Sequence, residues 1–192
     1  MPEAGKEFVF ERTVCACKEC KTFCRAMPSF LIPSDLHCIA EYLGCDNPVE
    51  FALKYLLASQ GATVLDRGRL RQIRTLVPAR RPDGACIFFD ENERCSVHAV
   101  SGFGCSHFDA HQSAEEANRR SSCGLRRIDR AWYENDLYAQ IWVLLYALGR
   151  VASSPIAARA LVEEALERLR ASSLSPTETA AVNDPSAWSQ TR

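Results

Sequence analysis

Apolar residues recur at helical spacing in four places. Leu36, Ile39, Ala40 and Leu43 follow Pro33-Ser34-Asp35, which reads as a helix start with Ser34 as N-cap and Asp35 in the first turn; Gly44 fits the stop. Asn47-Pro48-Val49-Glu50 opens a second helix. Asn47 caps it, Pro48 takes the first helical position, and Glu50 is placed to reach back to the cap. Leu53, Leu56 and Leu57 form its inner face, with Gly61 near its end. Residues 132–148 predict a third helix, with Leu137, Ile141, Leu144, Leu145 and Leu148 inward and Gly149 ending it. Ser154-Pro155 caps a fourth over 156–170, which pairs with the third as an antiparallel hairpin.

Other stretches alternate. Ile73, Thr75 and Val77 predict a strand near 70–77, an edge strand with a solvated, arginine-rich face. Phe8-Val9-Phe10 reads as a short strand. Cys86-Ile87-Phe88-Phe89 predicts another, followed by a turn at 90–93 and a return strand over 94–98, a hairpin that brings Cys86 to Cys95. Residues 101–104 then form a flexible loop that delivers Cys105. These elements predict an α+β fold, mainly helical. A cysteine-rich core with a short β-hairpin (residues 15–130) follows a 1–14 segment. A helical hairpin (131–170) packs on that core, and a tail (171–192) rich in Ser, Thr, Pro and Ala is expected to be disordered.

Composition narrows the function classes. The 23 basic and 24 acidic residues leave a net charge of −1, so no global field draws nucleic acid or an anionic membrane. The longest apolar stretch, 137–148, is 12 residues and contains Gln140. A spanning helix needs about 20 apolar residues, so no membrane span is expected. The start of the chain has no basic segment leading into an apolar run, hence no secretory signal is expected and the reading is cytoplasmic. In that compartment ten cysteines point to metal ligands or redox thiols rather than disulfides.

The cysteines fall mainly in two clusters. Cys15, Cys17, Cys20 and Cys24 occupy ten positions, with Lys18, Lys21 and Arg25 among and beside them. Nearby positive charge favours the thiolate that binds metal. Cys17-x2-Cys20 can chelate one ion from a tight turn, and Cys20 and Cys24 share a face on one helical turn. A redox dithiol is the competing reading, but no βαβ pattern surrounds it. The second cluster is Cys86, Cys95 and Cys105. Cys38 and Cys45 lie in or beside helices and read as small core residues. His107 and His111 are four apart, and His107 is carried forward as a candidate ligand. His37 and His98 read as ordinary surface or core residues.

Read together, the clusters resemble the CxxCxxCC family of zinc- or iron-chelating bacterial domains. The resemblance rests on Cys17, Cys20 and Cys24, on residues 33–44 and Glu50-Phe51, and on the segment CIFFDENERCSVHAVSGFGC ending at Cys105. It covers roughly 15–110 and implies metal binding. Phe23 stands where that family has a cysteine, and Ser106 where it has an arginine. Cys15, Cys123 and His107 are the residues available to fill the vacancy.

The expected function is therefore a metal-binding protein. Cys17, Cys20, Cys24, Cys86, Cys95 and Cys105 meet at one centre of zinc, iron or an iron–sulfur cluster, with Cys15, Cys123 and His107 as further candidates. One alternative is an iron–sulfur redox or group-transfer enzyme of the kind some methylases are. Another is a zinc-stabilised interaction module that binds an acidic protein partner through Arg119, Arg120, Arg126, Arg127 and Arg130. The simpler reading of that basic stretch is a solvated turn.

Overall fold

The structure, a computed structural model, describes residue 8 and residues 10–66, 69–92 and 95–152. The chain divides into two units, 1–153 and 154–192, and the description concerns the first. The helix expected over 156–170 and the tail expected after it lie outside the described residues. The fold is α+β and mainly helical. Helices α1 (Lys18–Ala26), α2 (Pro33–Tyr42) and α3 (Pro48–Tyr55) precede an antiparallel ribbon of β1 (Leu56–Asp66) and β2 (Arg69–Pro78). An irregular stretch follows, with a 3-10 turn at His98–Val100 and a single helical turn α4 (Phe103–Ser106). Two longer helices, α5 (Ala114–Glu134) and α6 (Leu137–Ala147), complete it.

The helix starts follow from local chemistry. Asn47 caps α3 by accepting the Val49 N–H at 2.8 Å, with Pro48 first in the helix. In α2 the cap is Ile32 and Pro33 is the first helical residue, so Ser34 lies inside the helix. Ile32 has no side-chain acceptor for the first turn, and the bond at this end runs the other way: Asp35 Oδ2 accepts the N–H of the cap residue Ile32 at 2.8 Å. The same oxygen accepts the Phe103 N–H at 2.8 Å, which joins the start of α2 to α4.

Several expected elements differ. Leu56 and Leu57 open β1 instead of continuing α3. Their side chains suit either state, and pairing decides: β1 lies against β2 from Leu56–Pro78 to Asp66–Arg69. Gly61 stands at the register break between Ser59 and Ala62 with φ +85°, where a Cβ would strike the Ile73 carbonyl. The helix expected over 132–148 is two helices. Asn135 takes a left-handed φ of 50°, and Asp136 then caps α6 by accepting the Tyr138 and Ala139 N–H groups at 2.8 and 3.3 Å. The basic stretch 119–130 is thus no turn but the body of α5, capped by Ser113. Finally, the described residues of the expected hairpin, 86–92 and 95–97, form tight turns instead of a ladder. Phe88 and Phe89 are both buried, which the alternation of a one-faced strand forbids. Residues 101–104, expected as a flexible loop, are buried, and 103–104 already belong to α4. Phe8 and Phe10 pack on Phe103 and His107 with no strand pairing.

The core joins Leu31, Leu36, Phe51, Leu56, Leu76, Ile128, Tyr138 and Leu145. On α6 the inward residues are Tyr138, Ile141, Trp142 and Leu145, whereas Leu144 and Leu148 are exposed. Tyr138 ties that face to the core through its side chain. Its buried hydroxyl accepts the Leu76 N–H at 2.7 Å and donates to the Leu31 carbonyl at 2.8 Å. Trp142 donates from Nε1 to the Ser59 carbonyl at 2.8 Å, beside the bulge. The Arg74 guanidinium lies over both Trp132 and Trp142, at 5.3 and 5.1 Å from the ring centres. Among the described residues no helix is long and apolar enough to cross a membrane.

Tyr138→Phe leaves a buried N–H and a buried C=O without their shared partner. It is expected to lower stability by about 1–3 kcal/mol, read as a fall in the urea midpoint at unchanged slope. Burial pushes the Asp35 carboxyl up from 3.8 to about 7, against the N–H groups of Ile32 and Phe103, which favour the ionised form. A carboxyl raised on folding adds stability that is present below its unfolded value and is lost as pH rises through about 7. Asp35→Asn keeps an oxygen acceptor and removes the charge. Its stability relative to the parent should therefore rise by on the order of 2 kcal/mol between pH 5 and pH 8, in paired urea titrations.

Candidate metal centre

The thiols of the first cluster are organised by the start of α1. Cys17 is its N-cap, and its sulfur accepts the Cys20 N–H at 3.4 Å. A thiol at a helix N-terminus is biased toward thiolate by the helix dipole and the free N–H groups. The Cys20 N–H, and then His111, bring Cys17 down from 9.0 to about 7. Cys20 is buried, and burial pushes it up to about 11, opposed by the Ala110 N–H, which donates to its sulfur at 3.4 Å.

His111 reaches this turn from the segment between α4 and α5. Its Nε2 lies 3.2 Å from the Cys17 sulfur. Its pKa is raised, first by that hydrogen bond and the thiolate charge and then by Glu19. The two shifts together favour a thiolate beside an imidazolium. One ligand atom each from Cys15, Cys17, Cys20 and His111 all lie within 4.8 Å of one another. Three sulfurs and one imidazole nitrogen are the donor set of a four-coordinate zinc site, so the residues present fit a metal ion.

What holds the two segments together is a set of contacts just before Cys15. The Thr13 N–H donates to the Ser106 carbonyl at 2.7 Å, and its hydroxyl donates to Asp109 Oδ2 at 2.8 Å. The other Asp109 oxygen accepts the His111 N–H at 2.8 Å. Partial burial alone would raise Asp109; the His111 N–H and Thr13 hydroxyl outweigh it and hold the carboxyl below its usual range. Arg12 adds bonds to the carbonyls of Ala99 and His98, at 2.8 and 2.9 Å, and to Ser101 Oγ at 3.0 Å. One carboxylate thus sets both the approach of Cys15 and the turn that presents His111.

The sequence candidates separate into groups. Cys17 and Cys20 meet Cys15 and His111. Cys24, Cys86, Cys95 and Cys105 are not in that group and instead line a separate small cavity. Cys123 lies on α5, where its sulfur accepts from Arg126 at 3.4 Å. His107 is buried, with Nδ1 at 2.9 Å from Ser106 Oγ and its ring against Phe8, Phe10 and Phe103. Burial lowers its pKa. His111, weighed from the sequence beside His107 but not carried forward, is the histidine at the thiols. The spacing of four promised a shared helix face, but His107 ends α4 and His111 lies in the following turn. The sequence signal was Asp109, a residue type that turns the chain two positions on. Phe23, at the vacant position of the resemblance, is exposed.

The α5 arginines are largely engaged internally. Arg119 and Arg120 pair with Glu116 at 2.8 and 2.6 Å, and Arg130 with Glu134 at 2.7 Å. Arg120 also donates to the His107 carbonyl at 2.9 Å, and Arg127 covers the Phe8 ring. Comparison with known family models, characterised proteins and solved structures finds no match for this chain.

Asp109→Ala removes the link between Thr13 and the His111 turn while leaving all four donor atoms in the sequence. It is expected to weaken zinc binding about 10–100-fold in competition with a chromophoric chelator, and Asp109→Asn should recover part of that loss.

Proposed function

We propose that this chain is a metal-binding protein whose ion is held by Cys15, Cys17, Cys20 and His111. The observation that carries the reading is the convergence of three sulfurs and one imidazole nitrogen from segments about 90 residues apart. Zinc suits the donor set best, because it takes four ligands of mixed sulfur and nitrogen without redox chemistry. Four protein donors leave no open position for substrate, so the ion acts on the fold. It pins the start of α1 to the segment before α5, and its binding energy becomes folding energy. The resemblance to zinc- and iron-chelating domains agrees with this reading. An iron or iron–sulfur centre is the alternative occupant, and colour after anaerobic purification distinguishes it.

The experiment is elemental analysis with chelator titration of the anaerobically purified full chain. Zinc at this site is expected to be lost in His111→Ala and Cys17→Ser, and both variants should melt at lower temperature than the zinc-loaded parent. An unchanged zinc content in both would overturn the reading. Metal displaces protons from the donors, so affinity falls with acid. Cys20 must release a proton throughout the neutral range, since its thiol stands at about 11. Cys17 is already thiolate above about 7 and takes up a proton below it. His111, whose pKa is raised, must likewise give up its proton on the acid side, so the slope of log affinity against pH should steepen as pH falls through the neutral range, by about a further tenfold per unit for each of these two donors.

A further inference from the structure

Helix α5 carries a basic stretch that the metal centre does not use. Residues seven and eleven positions on return to the same side of an α-helix, so Arg119, Arg126 and Arg130 form one row, with Arg127 beside it. All four arginines line an open groove of about 830 Å³. Phe8, Phe10 and Pro33 supply the apolar part of its lining. Phe8 and Phe10 are held in place by packing on Phe103 and His107, and Pro33 opens α2. A volume of this order is room for a segment of chain and far exceeds what a single ion fills. We propose that this groove docks an acidic segment of a partner protein, its carboxylates against Arg119, Arg126 and Arg127 and its apolar side chains against Phe8, Phe10 and Pro33.

The state of the guanidinium groups favours an anionic occupant. Among the described residues Arg126 meets no carboxylate; its Nη2 donates to the Cys123 sulfur at 3.4 Å, a weak acceptor, and the side chain is exposed. Arg119 directs Nε and Nη2 at Glu116, at 2.8 and 2.9 Å, which uses two of the five N–H donors that a guanidinium carries. Arg127 lies over the Phe8 ring and is partly buried, and the loss of water lowers its pKa. An anion in the groove returns to that cation some of the stabilisation that burial removes.

Charge complementarity also selects the kind of polyanion. The only carboxylates in the lining are Glu134 and Asp136, and both stand at one end of the arginine row. Glu134 already holds Arg130 at 2.7 Å. A nucleic-acid strand carries a phosphate at every residue and would run onto that acidic end, and the chain's net charge of −1 supplies no wider field to hold it. A short acidic run meets Arg119 to Arg127 alone, about 12 Å of helix. Side chains of an extended peptide point alternately to two sides and repeat on each side at about 6.8 Å, close to the pitch of α5. Acidic residues alternating with apolar ones therefore address the arginines and the apolar lining together, as in other recognition of acidic motifs by arginine clusters.

The groove shares no residue with the Cys15–His111 centre, and zinc content measured in parallel keeps the two readings separate. The full zinc-loaded chain is titrated into a fluorescein-labelled peptide alternating Glu and Leu, of about eight residues, enough at about 3.4 Å each to pass the whole arginine row. Anisotropy should show saturable binding that weakens with salt. Arg126→Glu is expected to weaken it at least about tenfold. Glu134→Gln releases Arg130 and removes a like charge, and is expected to strengthen it about two- to fivefold. Zinc content and melting temperature should be unchanged in both variants. Saturating peptide should slow alkylation of Cys123, which lines the same groove, and leave that of Cys45 unaltered. Should Arg126→Glu shift the melting temperature, the protection of Cys123 in the unmutated chain decides the matter. The proposal is overturned by parent-like binding in Arg126→Glu, by equal binding of a peptide with Gln in place of Glu, or by equal or tighter binding of single-stranded oligothymidylate of the same charge.

Discussion

The placement of the N-terminal segment depends on a single hydrogen-bonded splice, in which Thr13 meets Ser106 and Asp109. The cysteines of the first cluster sit on a short stretch of chain with little hydrophobic anchorage of its own. Of that cluster only Cys20 is buried. The backbone bond at 2.7 Å and the hydroxyl bond at 2.8 Å hold that stretch where His111 can face Cys17. Phe8 and Phe10 extend the attachment by packing on Phe103 and His107, with Arg120 and Arg127 over their outer faces. The donor group is therefore a product of tertiary docking. No local motif supplies all four members.

The second constraint is the corner at Asp35. A single carboxylate oxygen receives the Ile32 N–H at the start of α2 and the Phe103 N–H, so α4 is registered against α2 before any thiol is considered. Cys105 follows Phe103 by two residues, and its place in the cavity follows from that corner. Nine-residue α1 then joins the two thiol groups, since Cys20 belongs to one and Cys24, a single turn later, lines the other. The Cα rise between them is about 6 Å. A helix this short is marginal in water by itself, so its order rests on what its two ends are attached to.

Much of the scaffold was legible in the residue pattern, because it depends on neighbours in sequence. Asn47-Pro48 announced α3, and the alternation of Ile73, Thr75 and Val77 announced β2. The overall α+β class followed from such signals. The misreadings arose where long-range partners decide. Leu56 and Leu57 suit a helix until β2 offers them a ladder. The break at Asn135-Asp136 went unread because the apolar spacing on either side continues in phase, although both residue types favour exactly such a stop. At the site, the sequence pointed to thiolates and to a metal, and it assigned Cys17 and Cys20 to the same place as Cys86 and Cys105. Their distribution between two regions depends on how 12–13 dock on 98–109, which no spacing encodes. His111 was obscured for the same reason, since its role comes from a turn and a distant threonine.

The Tyr138 hydroxyl has a further consequence for the ribbon it touches. At the base of the ribbon the outer edge of β2 is occupied, because Leu31 bonds to Leu76 directly and through that hydroxyl. The outer edge of β1 is occupied at the same level by Arg150 and Ala152, which bond to Ala58. Both margins are thus closed against an added strand where the ribbon meets the core. Beyond the Gly61 bulge, no strand among the described residues covers either margin. Among the described residues, the ribbon edges open to an added strand therefore lie in that distal half.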